Sequence, residues 1–82
     1  MLETHELPIE AVRVPVKRLK TLDEARVQAL AEDMLENGQT TPIRVRADGD
    51  AYVLLEGLHR LEALKALGEA IVRGYVVRAR LH

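Results

Sequence analysis

Eighty-two residues with a formal net charge of −1 make one small domain, spanning 1–82, with a single modest core and little room for an elaborate active site. Hydrophobic residues make up 48% and charged residues 30%, ordinary for a folded globular chain, and the near-neutral balance excludes a global attraction to DNA or to an anionic membrane. The absence of cysteine excludes disulfides, thiolate metal sites and any thiol nucleophile.

In chain order, Leu7-Pro8-Ile9 reads as a short opening strand, because proline is tolerated at a sheet edge, with a turn through Glu10 to Val12. Thr21-Leu22-Asp23-Glu24 has the form of a capping box, and Val27, Leu30, Ala31, Met34 and Leu35 follow at helical spacing until Asn37-Gly38 ends the helix. Pro42 to Arg46 alternates as a half-buried strand, with Ile43 and Val45 inward and Arg44 and Arg46 outward. Asp48-Gly49 marks a hairpin turn, and Ala51 to Leu55 returns as a more buried strand. A second helix begins near Gly57 with Leu61, Leu64 and Leu67 on one face, and Gly68 stops it. Ile71 to Ala79 is a β-branched final strand in which Gly74 marks a bulge or a close approach. The order β-α-β-β-α-β, with one antiparallel hairpin, predicts an α+β fold: a small mixed sheet covered by two helices.

The junction Gly57-Leu58-His59-Arg60 carries the functional signal. A helix's first N–H groups have no intrahelical partner and stand at the positive end of its dipole, which favours an anion. Glycine admits close approach, Arg60 adds a planar cation suited to phosphate oxygens, and His59 adds a ring donor. A solvated strand-to-helix turn is the competing reading of the same residues, with Leu58 packed beneath it and His59 orienting it.

Other classes fall away. The chain has no tryptophan or phenylalanine and only two tyrosines, so the core must be aliphatic and base stacking is nearly excluded. Its three histidines, His5, His59 and His82, are too scattered for a zinc cluster. The apolar runs are too short to span a bilayer, and the N-terminus lacks a basic region followed by an apolar stretch, so a cytoplasmic location and no membrane partner are expected.

The run Leu30 to Arg46, then Tyr52, then Gly57 to Ala63 with Leu67-Gly68, resembles the ParB/sulfiredoxin superfamily from about Leu7 to Val77, in the same order of elements. That resemblance implies the superfamily's fold and a nucleoside triphosphate, ATP or CTP with Mg²⁺, as ligand. Sulfiredoxins, similar in Ala25 to Leu30 and in the Gly-Leu-His-Arg stretch, reduce overoxidised peroxiredoxin with ATP; their catalytic cysteine stands where this chain has Leu58. Arg26 matches a basic family position near the nucleotide, whereas Ala29 and Asp33 replace hydroxyl residues that help hold ATP. ParB partition proteins bind CTP through a Gly-Glu-Arg-Arg type motif, of which Gly57 and Arg60 match. Their helix-turn-helix reader is not in this sequence, so only weak, sequence-independent DNA contact is expected. Free serine kinases carry an acidic residue before Gly-His-His-Arg; Glu56 matches it, and the likeness implies a general base or Mg²⁺ ligand there.

The basic run Arg13, Lys17, Arg18 and Lys20 reads as a solvated loop. The family likeness places that loop near the Gly-x-His-Arg turn, where Arg18, Arg26 and Arg60 would bracket a polyphosphate. The sequence thus points to nucleotide or phosphate binding at Gly57, Leu58, His59 and Arg60 without thiol chemistry, in DNA partition or regulation. Its alternatives are a non-catalytic module that recognises a protein partner and a small-molecule kinase using Glu56. One outcome is independent of these choices. With no thiolate to attack a phosphorylated sulfinic acid, the chain shows no peroxiredoxin repair with ATP and Mg²⁺; loss of the sulfinic-acid mass from a treated peroxiredoxin would contradict this.

Overall fold

A computed structural model describes residues 3–78. The elements in chain order are β1 (Thr4–Pro8), a 3₁₀ turn (Ile9–Ala11), β2 (Val12–Arg13), α1 (Val16–Leu19), α2 (Glu24–Asn37), β3 (Ile43–Asp48), β4 (Ala51–Glu56), α3 (Leu58–Ala66) and β5 (Ile71–Val77). The five strands form one mixed sheet in the order β1-β5-β3-β4-β2. β1 pairs antiparallel with β5, and β3 antiparallel with β4, while β3 runs parallel to β5 and β2 parallel to β4.

The anticipated α+β mixed sheet is present, with two elements added. β2 is two residues long, too short for an alternating pattern to register. α1 is a single turn after Pro15, in the basic run expected to be a loop; proline's fixed φ suits a helix start. The opening strand lies earlier than expected, at Thr4–Pro8, because Ile9 leaves it to donate its N–H to the Ala70 carbonyl at 2.9 Å. The final strand ends at Val77, and Ala79 lies outside the described residues.

Alternation decides which sheet face is buried. Ile43, Val45, Leu54 and Val72 turn to the side on which α2 and α3 bury Val27, Met34, Leu61 and Leu64, forming one aliphatic core. Among the described residues no polar or charged side chain is buried. The opposite face stays open: Arg44, Arg73 and Ile71 are exposed and Arg46, Tyr75 and Val77 half-buried. Leu35, anticipated on the inner face of α2, is 72% exposed, because it follows Met34 by a 100° step that carries it out of the Val27–Met34 stripe. None of the helices is long and apolar enough, among the described residues, to cross a membrane.

The start of α2 corrects the capping-box reading. Asp23 is the N-cap, its Oδ1 accepting from Ala25 N–H at 3.0 Å and Arg26 N–H at 3.4 Å. Thr21 instead donates its hydroxyl to the Arg18 carbonyl at 2.7 Å, closing α1. The helix ends as anticipated at Gly38, whose N–H reaches the Met34 carbonyl at 2.8 Å. Gln39 then continues the sheet ahead of β3: its side-chain amide donates to the Arg73 carbonyl at 2.9 Å and accepts from Arg73 N–H at 2.8 Å, in the manner of a neighbouring strand.

Two registers set how β3 and β4 deliver the chain to α3. The hairpin loop is Gly49-Asp50, one residue later than the Asp48-Gly49 placement, since Asp48 still pairs with Ala51. Gly49 has φ +61° and Asp50 no positive φ, the pattern of a type II′ turn. The β3–β4 ladder also shifts between Arg44 and Val45, so that Val45 faces Leu54, Arg44 faces Glu56, and Leu55 has no opposite residue. Such a bulge rotates the strand beyond it, and it turns Glu56 to the open face with Arg44. Gly74 proves to be the close approach rather than the bulge: a Cβ there would stand 3.0 Å from Ile43 Cγ1 and 3.1 Å from Leu7 Cδ1.

Gly57 joins β4 to α3 under tighter constraint. Its φ is +102°, and a Cβ would lie 2.7 Å from Ile43 Cγ2 and 3.2 Å from Ile43 Cα, whereas Gly68, at φ +76°, has nothing within 4 Å. Gly57→Ala is therefore expected to lose roughly 2–5 kcal/mol through left-handed strain and a displaced core side chain. Gly68→Ala, with conformational strain alone, is expected to lose about 1–2 kcal/mol. Urea unfolding of both variants measures the difference, and equal losses would mean that the Ile43 contact is not constraining.

Candidate functional site

Two helix starts meet in this fold, and they are electrostatically unlike. At α2 the Asp23 carboxylate occupies the first N–H groups, so the positive end of that dipole already holds an anion. At α3 the N-cap is Gly57, which has no side chain to offer. Among the described residues the N–H groups of Leu58, His59 and Arg60 find no acceptor, and the first bond of the helix is Leu61 N–H to the Gly57 carbonyl at 2.9 Å. These three donors, at the end of a nine-residue helix, are the arrangement that favours a bound anion.

The side chains of the turn divide by task. Leu58 is 5% exposed and packs in the core, as expected beneath the turn, so it meets a ligand only through its backbone N–H. Gly57 is required by Ile43 and by its left-handed backbone, where the sequence suggested ligand approach as the reason. His59 is half-buried, and its Nε2 accepts the Asp23 N–H at 3.1 Å. Arg60 is half-buried and makes no ion pair or side-chain hydrogen bond among the described residues.

The His59–Asp23 bond joins the start of α3 to the cap of α2, whose first turn carries Arg26. Arg26 and Arg18 are exposed, and neither side chain is ion-paired among the described residues. Arg18 lies in α1, whose last turn is tied by its own carbonyl to the Thr21 N–H at 3.0 Å, immediately ahead of the Asp23 cap. Arg18 and Arg26 thus lie on either side of the Asp23 cap that His59 contacts, and Arg60 lies in the first turn of α3.

Glu56 is set apart from them. Its carboxylate is paired with Arg44 at 3.4 Å on the open face, and its side chain is 70% exposed. A general base there would face away from the α3 donors, and an exposed pair of this kind is weak. Among the described residues no group of three His, Asp or Glu side chains could hold a metal ion. Any Mg²⁺ would come with the phosphates and keep most of its water, as that ion usually does.

Hollows in the surface lie elsewhere. One of about 350 Å³ is lined by His5, Tyr52 and Arg78, and another of about 440 Å³ lies on the open face between Pro42, Arg44, Glu56 and Tyr75. Enclosure suits an apolar ligand, whereas phosphate is held by N–H groups and guanidinium, which an open helix start provides. For that chemistry the α3 start outweighs either hollow.

Sequence reasoning missed Asp23 and Ile43. Asp23 had a signal, an N-cap residue type directly before the helix; its contact with His59, 36 positions away, had none, and neither did the approach of Ile43 to Gly57.

The ParB N-terminal domain matches residues 1–81. The chain is 34% identical over 68 residues to the chloroplastic/mitochondrial sulfiredoxin of Arabidopsis thaliana, covering 83% of this chain and 54% of that protein. The crystal structure of Arabidopsis thaliana sulfiredoxin superposes with a TM-score of 0.84 at 30% identity, over 94% of this chain and 86% of that one. Identity to the chromosome-partitioning protein ParB of Myxococcus xanthus is 37% over 73 residues, 83% of this chain and 25% of that protein. The chain therefore spans about half the length of one curated relative and a quarter of the other. The C-terminally truncated ParB of Caulobacter crescentus, solved with CTP-gamma-S, shares the fold at a TM-score of 0.79 and 24% identity, over 98% of this chain and 46% of that one.

Proposed function

The chain belongs to the ParB N-terminal domain family, and from that premise we propose that it binds the phosphates of a nucleoside triphosphate at the start of α3. The observation that carries this reading is the set of N–H groups at Leu58, His59 and Arg60 behind a glycine N-cap, without an acceptor among the described residues, together with the Arg60 guanidinium, unpaired among those residues. Arg26 and Arg18, on the adjoining segments, supply the charge for phosphates beyond the one held at the turn. The CTP-gamma-S bound by the Caulobacter ParB supports a triphosphate as the ligand class.

The activity is binding rather than group transfer. The chain has no cysteine, the acidic residue that precedes the turn, Glu56, is paired with Arg44 on the other face, and the Asp23 carboxylate is directed onto the N–H groups of α2. Such a domain reports or transmits nucleotide occupancy, a role fitted to DNA partition or regulation. Direct DNA contact would be limited to backbone phosphates met by α1 and its flanking cations, with the affinity falling as salt rises.

Isothermal titration with MgCTP and MgATP, on wild type and Arg60→Ala, tests the site. Loss of the charge-assisted bonds from Arg60 is expected to weaken binding by about 1.5–3 kcal/mol, with little change in unfolding free energy because the side chain makes no ion pair or hydrogen bond among the described residues. No binding by wild type to either nucleotide, or the same affinity in both proteins, would reject it.

A further inference from the structure

His59 stands in the phosphate-binding turn, yet its ring is committed in another direction. Nε2 accepts the backbone N–H of Asp23 at 3.1 Å. Among the described residues this is the one side-chain hydrogen bond joining the first turn of α3 to the start of α2. An imidazole nitrogen that accepts carries no proton, so the neutral ring is held with its hydrogen on Nδ1, and Nε2 is closed to a phosphate oxygen while the bond stands.

The partner atom gives the bond its consequence. Asp23 is the residue that caps α2, its Oδ1 holding the N–H groups of Ala25 and Arg26. The chain of contacts therefore runs from α3 through the His59 ring to the Asp23 backbone, and from the Asp23 carboxylate to Arg26. Asp23 is exposed, so water can replace the imidazole as acceptor, and the energetic worth of this bond to folding is small. Its geometric worth is larger, because core packing sets the two helices side by side and this bond ties their first turns to each other.

We infer that His59 is a positioning residue, which ties the capped start of α2, and with it Arg26, to the start of α3, and is not itself a phosphate donor through Nε2. This rests on the phosphate reading of the α3 start and extends it. It separates two kinds of ligand: a single phosphate, held by the α3 N–H groups and Arg60, does not need the α2 cation, whereas a triphosphate does.

The test compares His59→Ala and His59→Gln with wild type, using MgCTP and MgATP by calorimetry, inorganic phosphate by ³¹P NMR, and amide hydrogen exchange at Asp23. His59→Ala is expected to lose about tenfold in triphosphate affinity, the scale of one hydrogen-bond's coupling, and to change phosphate affinity by less than about twofold. Its Asp23 amide should exchange faster than in wild type. The glutamine side-chain oxygen can accept the same N–H, so His59→Gln should recover most of both losses. Equal loss for phosphate and triphosphate in His59→Ala would make His59 a direct ligand and overturn the positioning role alone, as would unchanged exchange at Asp23. Absence of all binding by wild type would instead overturn the phosphate reading and this role with it.

Discussion

The contact between Gly57 and Ile43 is the constraint on which the rest of the structure depends. Ile43 is fully buried at the start of β3, in the middle of the five-stranded sheet, and its side chain and Cα come so close to Gly57 that no Cβ fits. Glycine is thus required twice over, by the space and by a φ of +102°. The chain can turn from β4 into α3 within one residue, and Leu58 and Leu61 are delivered straight into the core. The same residue that permits this packing has no side chain with which to cap the helix it begins. A packing requirement and an exposed set of donors therefore have one cause.

What sets that helix start apart is its contrast with its neighbour. An α-helix of this length carries a partial positive charge at its N-terminus whether or not it binds anything. At α2 the charge is met by Asp23 within the chain, while at α3 it is reinforced by Arg60. The two starts are joined through His59, which draws the Asp23 carboxylate into the same neighbourhood. Because that carboxylate is directed onto the α2 N–H groups, its charge is already engaged by one dipole and opposes an anion at the other less than a free carboxylate would.

The architecture was legible in the sequence wherever burial imposes a period. Ile43 and Val45 alternate with arginines because one face of β3 is covered and the other open, and Leu61 and Leu64 recur at helical spacing because α3 lies on that covered face. Asn37-Gly38 marked the end of α2 by the conformation that only glycine adopts freely. The strand-to-helix turn at Gly57 was legible for the same local reason, a glycine at the junction between an apolar strand and an apolar-faced helix. Illegible were features decided by partners distant in the chain. Val12-Arg13 becomes a strand only because β4 offers it an edge, and Thr21 loses the cap to Asp23 because α1 takes its hydroxyl. The bulge at Leu55, which turns Glu56 to the open face beside Arg44, arises from the β3–β4 register and leaves no trace in the alternation of Ala51 to Leu55. His59 likewise has a task set by Asp23, at a separation over which local patterns are silent.

The central claim is that the free N–H groups of α3 receive phosphate, and the most direct measurement is a ¹⁵N–¹H titration of the labelled protein with MgCTP and MgATP. The account predicts that the largest shifts fall on the amides of Leu58, His59 and Arg60, with those of Ala25 and Arg26, already bonded to Asp23, moving less. Largest shifts around His5, Tyr52 and Arg78, or on the open face at Arg44 and Tyr75, with the α3 amides unmoved, would contradict it.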